Sequence, residues 1–379
     1  MTSTGLKTRL QRLDGFLEQD PNNQSLLLDA FETARQLRDW PHAARYAALA
    51  MSQWPDPLWK LRAGEVALAQ LNWDEAEKWL EAVRHDLLAG DEIRCAAEHQ
   101  LAEVMLHTGK PDAGIELISD RFEGDGAASS APAAQVLWLR LLHRVGRLQD
   151  VVDYAQRWET AGLLSSLAAG VASLAALDLD RSDLADRLAE ASLQAGHRSF
   201  EALIARASVC LGRADAAAAS TLLSEALQLN AHDGRSWAMF AFAGLLEQQF
   251  DQAIVRFETA LAYMPDHVGT WHGLGWALIQ QSNLARAKEV FEHALEMDRN
   301  FAESHGGLAV VLALAGDVTG ATSAMETARR LDRTSVAARY AQAVLTGDHK
   351  DTQRLRQLAA RALTGRGVVG EQAAQRMLQ

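Results

Sequence analysis

Apolar and small residues recur along this chain at helical spacing, and polar residues fill the positions between them. Alanine and leucine dominate the apolar positions, and only 7 prolines interrupt the 379 residues. Because Ala and Leu favour helices and Pro breaks them, the pattern predicts helices along most of the chain. The Val–Ile–Thr alternation that strands need is almost absent. The predicted fold class is therefore all-α.

Between residues 200 and 333 the apolar pattern repeats at a fixed step of about 34 residues. Small residues such as Ala241 and Gly275 are expected where two helices of one repeat approach closely, and Phe257 and Phe291 are expected to fill the gap toward the next repeat. One helix pair cannot cover its own apolar surface, so the copies must stack. Three sets of residues carry the step: Ala226, Ala260, Ala294 and Ala328; Ala219, Ala253, Ala287 and Ala321; Leu223, Phe257, Phe291 and Met325.

This repeat resembles the tetratricopeptide repeat, whose period is also about 34 residues. Trp237 and Trp271 stand at matching places near the starts of two copies, and Pro265 closes the first of them. The following copy has His305 in place of the tryptophan and Met325 in place of the phenylalanine. The resemblance implies an α-solenoid, a right-handed superhelix of antiparallel helix pairs, with the first helices lining a concave groove.

The strength of the repeat pattern divides the chain into five regions. The segment EGDGAASSAPA is rich in Gly, Ser, Ala and Pro, which is typical of a loop, and it is read as either a long loop or a hinge. The predicted regions are degenerate repeats at 1–122, the loop or hinge at 123–133, further degenerate repeats at 134–199, regular repeats at 200–333, and C-terminal capping helices (about 335–347 and 350–363) with a tail at 334–379.

By resemblance, the groove residues are found one, five and eight places after the tryptophan position of each repeat, together with Met239. They form an unusually apolar row, and exposed apolar and aromatic side chains mark binding sites. The alternative is that a tight superhelix, or the C-terminal segment folded back, buries them. The predicted groove residues are Ile204, Met239, Phe242, Leu245, His272, Trp276, Ile279 and Val310.

The matching positions of the N-terminal repeats have a different character. They include Leu28, Glu32, Arg35, Leu61 and Glu65, which form a polar face of mixed charge. A partner that contacts both halves would need both apolar and charged portions. Five tryptophans of the same region are expected to wedge neighbouring helix pairs together, rather than to form an exposed cluster: Trp40, Trp54, Trp59, Trp73 and Trp79.

The charge balance narrows the classes of partner. The net charge is −12 and no basic stripe is present, which argues against nucleic acid and against anionic membrane surfaces. No apolar run approaches about 18 uncharged residues, so membrane insertion is not expected. Two isolated cysteines and a polar N-terminus without an apolar core favour a cytoplasmic location. Positive charge is almost all arginine, which suggests a GC-rich bacterial genome.

No motif for chemistry is found. The stretch GLGWA contains Gly273 and Gly275 but lacks the third glycine and the preceding strand of a dinucleotide loop. Cys95 and His99 share a helix face without further ligands, and the pair His272 and His305 has too few partners for a metal. We therefore expect no catalytic residue, no cofactor and no metal site, and we expect that the protein is not an enzyme.

The leading functional hypothesis is a non-catalytic adaptor, scaffold or chaperone that binds a partner protein or peptide in its concave groove. The partner is expected to offer an apolar face, such as that of an amphipathic helix or an extended peptide. One alternative is a structural protein that assembles with itself through its end repeats, so that a homo-oligomer is possible. Another is a regulatory subunit of an enzyme or of a secretion or envelope assembly machine.

Overall fold

The computed structural model describes residues 3–54, 56–122, 131–196 and 198–348. These residues form twenty α-helices and one short 3-10 helix at Ser119–Arg121, with no strand among them. The all-α prediction is thereby confirmed. The helices are α1 Ser3–Gln19, α2 Gln24–Leu37, α3 Trp40–Gln53, α4 Pro57–Ala69, α5 Trp73–Arg84, α6 Asp91–His107, α7 Pro111–Ile118, α8 Pro132–Arg144, α9 Leu148–Thr160, α10 Ser166–Asp178, α11 Ser182–Gln194, α12 Phe200–Gly212, α13 Ala216–Leu229, α14 Gly234–Leu246, α15 Phe250–Tyr263, α16 Val268–Gln280, α17 Leu284–Met297, α18 Ala302–Leu314, α19 Val318–Leu331 and α20 Val336–Leu345.

The chain divides into two compact units, Met1–Val171 and Ala172–Gln379, which we call unit 1 and unit 2. Within each unit, helices that follow one another in sequence pack together. First helices of neighbouring pairs also touch, as α4 touches α6 in unit 1 and α14 touches α16 in unit 2. Packing that involves only near neighbours in the chain is the arrangement of an α-solenoid.

The turn inside each helix pair is built on one residue in the left-handed backbone region. The residue that follows it donates its N–H to a carbonyl five residues back, as Asp215 does to Cys210 at 2.9 Å and Asn283 to Leu278 at 2.9 Å. This closes the first helix in a Schellman-type turn. From position 146 onward, the left-handed residues of these turns inside helix pairs are 34 residues apart: Gly146, Asp180, Ala214, Gln248, Ser282 and Gly316. The backbone period therefore starts well before residue 200, where the side-chain pattern is degenerate.

The core of unit 2 confirms the predicted role of the two phenylalanines. Phe257 and Phe291 are completely buried, and each ring lies against a glycine on the next first helix. A β-carbon at Gly273 would lie 2.4 Å from the Phe257 ring, and one at Gly307 would lie 2.3 Å from the Phe291 ring. Any larger residue would push the helices apart, because a packed core has no free volume to absorb it.

One of the five N-terminal tryptophans, Trp59, lies in the core of unit 1, and the other four are half-buried. Trp59 is buried and meets Phe31 edge-on, with ring centroids 5.6 Å apart. Trp40 and Trp54 pack against the same cluster, while Trp73 stacks on His107 at 4.8 Å. Trp79 is half-buried. Trp59 joins two helix pairs, since it lies on α4 and its contact Phe31 lies on α2.

Two predicted features extend beyond the part of the chain that the structure describes. Most of the loop or hinge at 123–133 lies outside it, namely residues 123–130, and so do the second capping helix at 350–363 and the tail. The residues on either side of the predicted loop pack closely: Phe122 stacks on Trp138 with centroids 4.5 Å apart, and the Tyr154 hydroxyl donates to the Phe122 carbonyl.

Candidate partner-binding groove

The eight predicted groove residues lie on the first helices α12, α14, α16 and α18 of unit 2. Three of them keep exposed surface: Phe242 is 40 % exposed, and Leu245 and Trp276 are half-buried. We call these three the apolar patch. The other five are buried inside the unit and present almost no surface to a partner: Ile204, Met239, His272, Ile279 and Val310. The structure therefore reduces the predicted row to its three exposed members.

His272 is a core residue with a satisfied side chain. Its Nε2 lies 2.7 Å from the Ser304 hydroxyl, and its ring meets the rings of Phe291 and Phe301 edge-on at 5.6 and 5.0 Å. Burial lowers the pKa of His272 from its ordinary value to about 4, because the charged form would lose its hydration. The imidazole is thus neutral at pH 7 and serves packing rather than ligand binding.

Phe242 forms the exposed end of the apolar patch. Its ring packs edge-on against Phe257 with centroids 5.0 Å apart, and one edge lies over Gly273 of α16. The absence of a side chain at Gly273 gives the ring its place. The face of Phe242 that points away from these contacts remains accessible, and an accessible aromatic with a fixed inner edge is suited to anchor a partner.

Trp276 forms the other end of the patch and touches a helix that the sequence did not assign to the groove. Its ring meets Phe291 at 6.3 Å and Tyr340 of α20 at 5.9 Å. Tyr340 follows Gly306 by 34 residues, so it occupies the same place in the period as His272. Extending the period one repeat further would have identified it from sequence.

The apparent tryptophan position of each repeat has a clear structural role. The indole N–H groups of Trp237 and Trp271 donate to the carbonyls of Ala231 and Pro265, at 2.8 and 2.7 Å. In the next repeat the Nε2 of His305 donates to the Arg299 carbonyl at 2.9 Å. Each bond spans six residues and ties the first helix to the loop before it. His305 therefore makes the same hydrogen bond as the tryptophans of the two preceding repeats.

The family comparison agrees with this geometry. A family model described as the tetratricopeptide repeat matches residues 244–310 and 278–345. Residues 244–345 therefore consist of tetratricopeptide repeats. The matched stretch contains Leu245 and Trp276 of the apolar patch and ends at the last residue of α20.

Several solved structures resemble this chain over part of its length. YrrB, a TPR protein with an unusual peptide-binding site, is 15% identical with a TM-score of 0.40, over 47% of this chain and 92% of YrrB. MamA is 15% identical with a TM-score of 0.38, over 42% of this chain and 92% of MamA. At these values the likeness concerns the helical fold alone. No curated protein matches the chain in sequence.

The first-helix face of unit 1 is charged, as predicted, and its charges are paired. Arg35 contacts Glu32 at 2.8 Å and Glu65 at 3.3 Å, so that α2 and α4 are bridged. Arg62, which sequence reasoning missed although it adjoins Leu61, lies 3.9 Å from Glu32 and above the Trp59 ring at 4.5 Å. The glutamates raise the pKa of Arg35, mainly through the hydrogen bond with Glu32.

In the described part of the chain, potential metal ligands are dispersed and not clustered. No three His, Cys, Asp or Glu side chains are placed to share a metal within residues 3–348, apart from the undescribed stretches. Burial raises the pKa of the Cys210 thiol and lowers the pKa of the His99 imidazole. A cleft of about 840 Å³ beside Cys210 contains Arg213, whose guanidinium is paired with Asp186 at 2.6 Å. No helix in the described residues has the length and apolar character to span a membrane.

Proposed function

We propose that this protein is an adaptor or scaffold that binds a segment of a partner protein on the apolar patch of unit 2. The observation that supports the proposal is the exposed Phe242 ring, held at its inner edge by Phe257 and Gly273. Leu245 lies one turn further along the same helix face, and Trp276 continues the patch onto α16. The partner segment presents an apolar face, because aromatic and aliphatic anchors gain most from excluding water.

The proposal predicts that a photoreactive group at position 242 reports the partner. Benzoylphenylalanine replaces Phe242 in one variant and Val255 in a matched control, since Val255 is also apolar and is 61 % exposed but lies on the second helix α15. Irradiation in cells is expected to give a discrete crosslinked product from position 242 and not from position 255. The patch assignment is wrong if both positions give the same products.

A second test compares the affinity of two variants for the partner. Phe242→Asp places a charge in the patch, while Val255→Asp places the same charge on α15. Recovery of the crosslinked partner by the purified protein is expected to fall about 10-fold or more for Phe242→Asp, because truncating a buried anchor costs about 2 kcal/mol or more. Recovery by Val255→Asp is expected to equal that by the unmodified chain.

Self-association is a second candidate, favoured by one observation in unit 1. Leu87 and Leu88 are adjacent between α5 and α6 and are 97 % and 85 % exposed. Covering this pair would remove apolar surface from water and so favour association. A stable interface buries about 800 Å² on each partner. Light scattering tests self-association by measuring the oligomeric state. If the chain stays monomeric when concentrated, and the Leu87→Ser and Leu88→Ser variants do the same, this candidate is removed.

A further inference from the structure

Helix α20 packs differently from the first helices that precede it. In unit 2, α14, α16 and α18 each pack on the second helices before and after them, and only slightly on the first helix that precedes them. Helix α20 instead packs mainly on α18, the first helix of the last full repeat, and much less on α19. It is also shorter, with 10 residues against 13 in α14, α16 and α18. It therefore lies on the same row of helices that contains the apolar patch.

The contact between α18 and α20 is built from specific groups. The Glu303 carboxylate accepts the backbone N–H groups of Val336 and Ala337, both at 3.0 Å. These are the first amides of α20, which lack partners within the helix and carry the positive end of its dipole. One turn further along α18, a β-carbon at Gly306 would lie only 2.6 Å from that of Ala337, so the two helices touch at their backbones.

The other end of the contact reaches the apolar patch. Tyr340 lies against Trp276 with ring centroids 5.9 Å apart, while Ala338 and Ala341 join the buried cluster that contains Val310. We call Glu303, Gly306 and Trp276 the α20 seat. The seat recognises a helix N-terminus through its carboxylate, a small residue through its glycine, and an aromatic side chain through its indole.

We propose that α20 is a resident ligand of the groove, and that the partner segment is a helix of the same chemistry that replaces α20 on its seat. This inference rests on the proposed function, because it describes the partner of the same site. The partner helix offers free N-terminal amides, a small residue near its start and an aromatic residue three positions later, as Ala337 and Tyr340 do in α20.

Two physical arguments support exchange. A helix of 10 residues is marginal by itself in water, so the order of α20 depends on the seat rather than on its own propensity. In addition, α20 is tethered, which gives it an effective concentration in the millimolar range against any free segment. A partner therefore needs contacts that α20 does not make, and the exposed Phe242 and the half-buried Leu245 offer them. The partner helix is accordingly longer than α20.

The experiment titrates a labelled peptide of residues 332–348 into the full-length protein and follows fluorescence anisotropy. In the unmodified chain the tethered α20 competes, so binding is expected to be weak. Ala337→Leu in the protein unseats α20 by collision with Gly306 and leaves the seat residues unchanged. That variant is expected to bind the unmodified peptide about 10-fold or more tightly than the original chain does. Arg339→Leu, which introduces the same residue at a half-exposed position of α20, is the matched control and is expected to behave as the unmodified chain.

The peptide itself provides the second arm. A peptide carrying Ala337→Leu is expected to lose binding to the Ala337→Leu protein. If the Ala337→Leu protein no longer unfolds cooperatively, Tyr340→Ala in the protein replaces it, since this change removes the Trp276 contact without adding volume. Equal affinity of the peptide for the original and the unseated chains, absence of binding to both, or binding of the altered peptide overturns the proposal.

This test is independent of the test of the proposed function, because it uses no natural partner. Failure of the peptide to bind the unseated chain, with a crosslink still formed at position 242, rejects the resident ligand alone. Binding of the peptide without any crosslink at position 242 rejects the partner-binding role and retains the α20 seat as an internal feature of the fold.

Discussion

The first-helix faces of the two units differ in chemistry, since the face of unit 1 is charged and that of unit 2 is apolar. In unit 1, Glu32, Arg35, Arg62 and Glu65 pair with one another between α2 and α4, so the charges are largely compensated within the unit. In unit 2, the equivalent row is apolar, and α20 covers only the end near Trp276, leaving Phe242 open. The difference shows that a first-helix face of a solenoid is a candidate binding site where its side chains leave apolar surface exposed, and not where its charges pair with one another.

The largest expected effect is the loss of stability when the core behind the apolar face of unit 2 is truncated. Phe291→Ala removes a completely buried ring that Gly275, Gly307 and Trp276 all contact. The free energy of unfolding is expected to fall by about 3–5 kcal/mol, from lost burial and the cavity left behind. Urea denaturation measures the loss. Val255→Ala on the exposed side of α15 is the control, and similar losses for both variants would contradict the packing described.

The next effect is a loss of stability at acid pH, which is expected to come from His272 in unit 2. The folded-state pKa of His272, about 4, lies below its ordinary value of 6.5 because the ring is buried. A lowered pKa means that the folded state resists protonation, so the stabilisation is fully present above pH 6.5 and is lost as the pH falls toward 4. The difference corresponds to about 3 kcal/mol at 1.36 kcal/mol per pKa unit.

This loss is measured by urea denaturation at a series of pH values. His272→Gln is expected to flatten the pH dependence between pH 7 and pH 4, since glutamine does not titrate. Val255→Ala, which removes no titratable group, is the control and should keep the original slope. An unchanged slope in His272→Gln would show that other groups cause the acid sensitivity.

A smaller effect compares one glutamate on each face. Glu303→Gln weakens the acceptor of the first two α20 amides, and a hydrogen bond to a charged group contributes about 1.5–3 kcal/mol. Hydrogen exchange of the α20 amides is expected to accelerate by about 10-fold or more, with α2 unaffected. Glu32→Gln is the reciprocal control, because its partners are arginine side chains in unit 1. Acceleration of α20 by both variants would remove the local explanation.

The smallest effect belongs to the charged face. A double-mutant cycle of Arg35→Ala and Glu65→Ala is expected to give a coupling of about 0.2–1 kcal/mol, because the pair is partly exposed to solvent. Raising the salt concentration is expected to reduce this coupling further, since ions screen exposed charges. A coupling above about 2 kcal/mol would mean that the charged face is a buried structural element and not a solvated one.

The fold could be predicted from the sequence because local rules determine it. Alanine, leucine and the 34-residue step predicted the helices and their stacking, and the place of His305 in the period predicted its equivalence to Trp271, which their matching hydrogen bonds confirm. The same step predicted that Phe257 and Phe291 fill the gap toward the next repeat, where they meet Gly273 and Gly307. These features depend on residues within about one repeat of each other, so spacing along the chain was sufficient.

The exposed part of the groove could not be predicted in this way. Five of the eight predicted residues are buried, because exposure depends on how closely neighbouring first helices approach, and that distance is set by several repeats together. The place of Tyr340 in the 34-residue repeat is visible in the sequence. Its contact with Trp276, however, depends on the packing of α20 on α18 at Gly306. The amino-acid sequence by itself determined the helices, their pairing and the candidate row. Only the tertiary packing decided which side chains of that row stay open, because surface is a property of the neighbours and not of the residue.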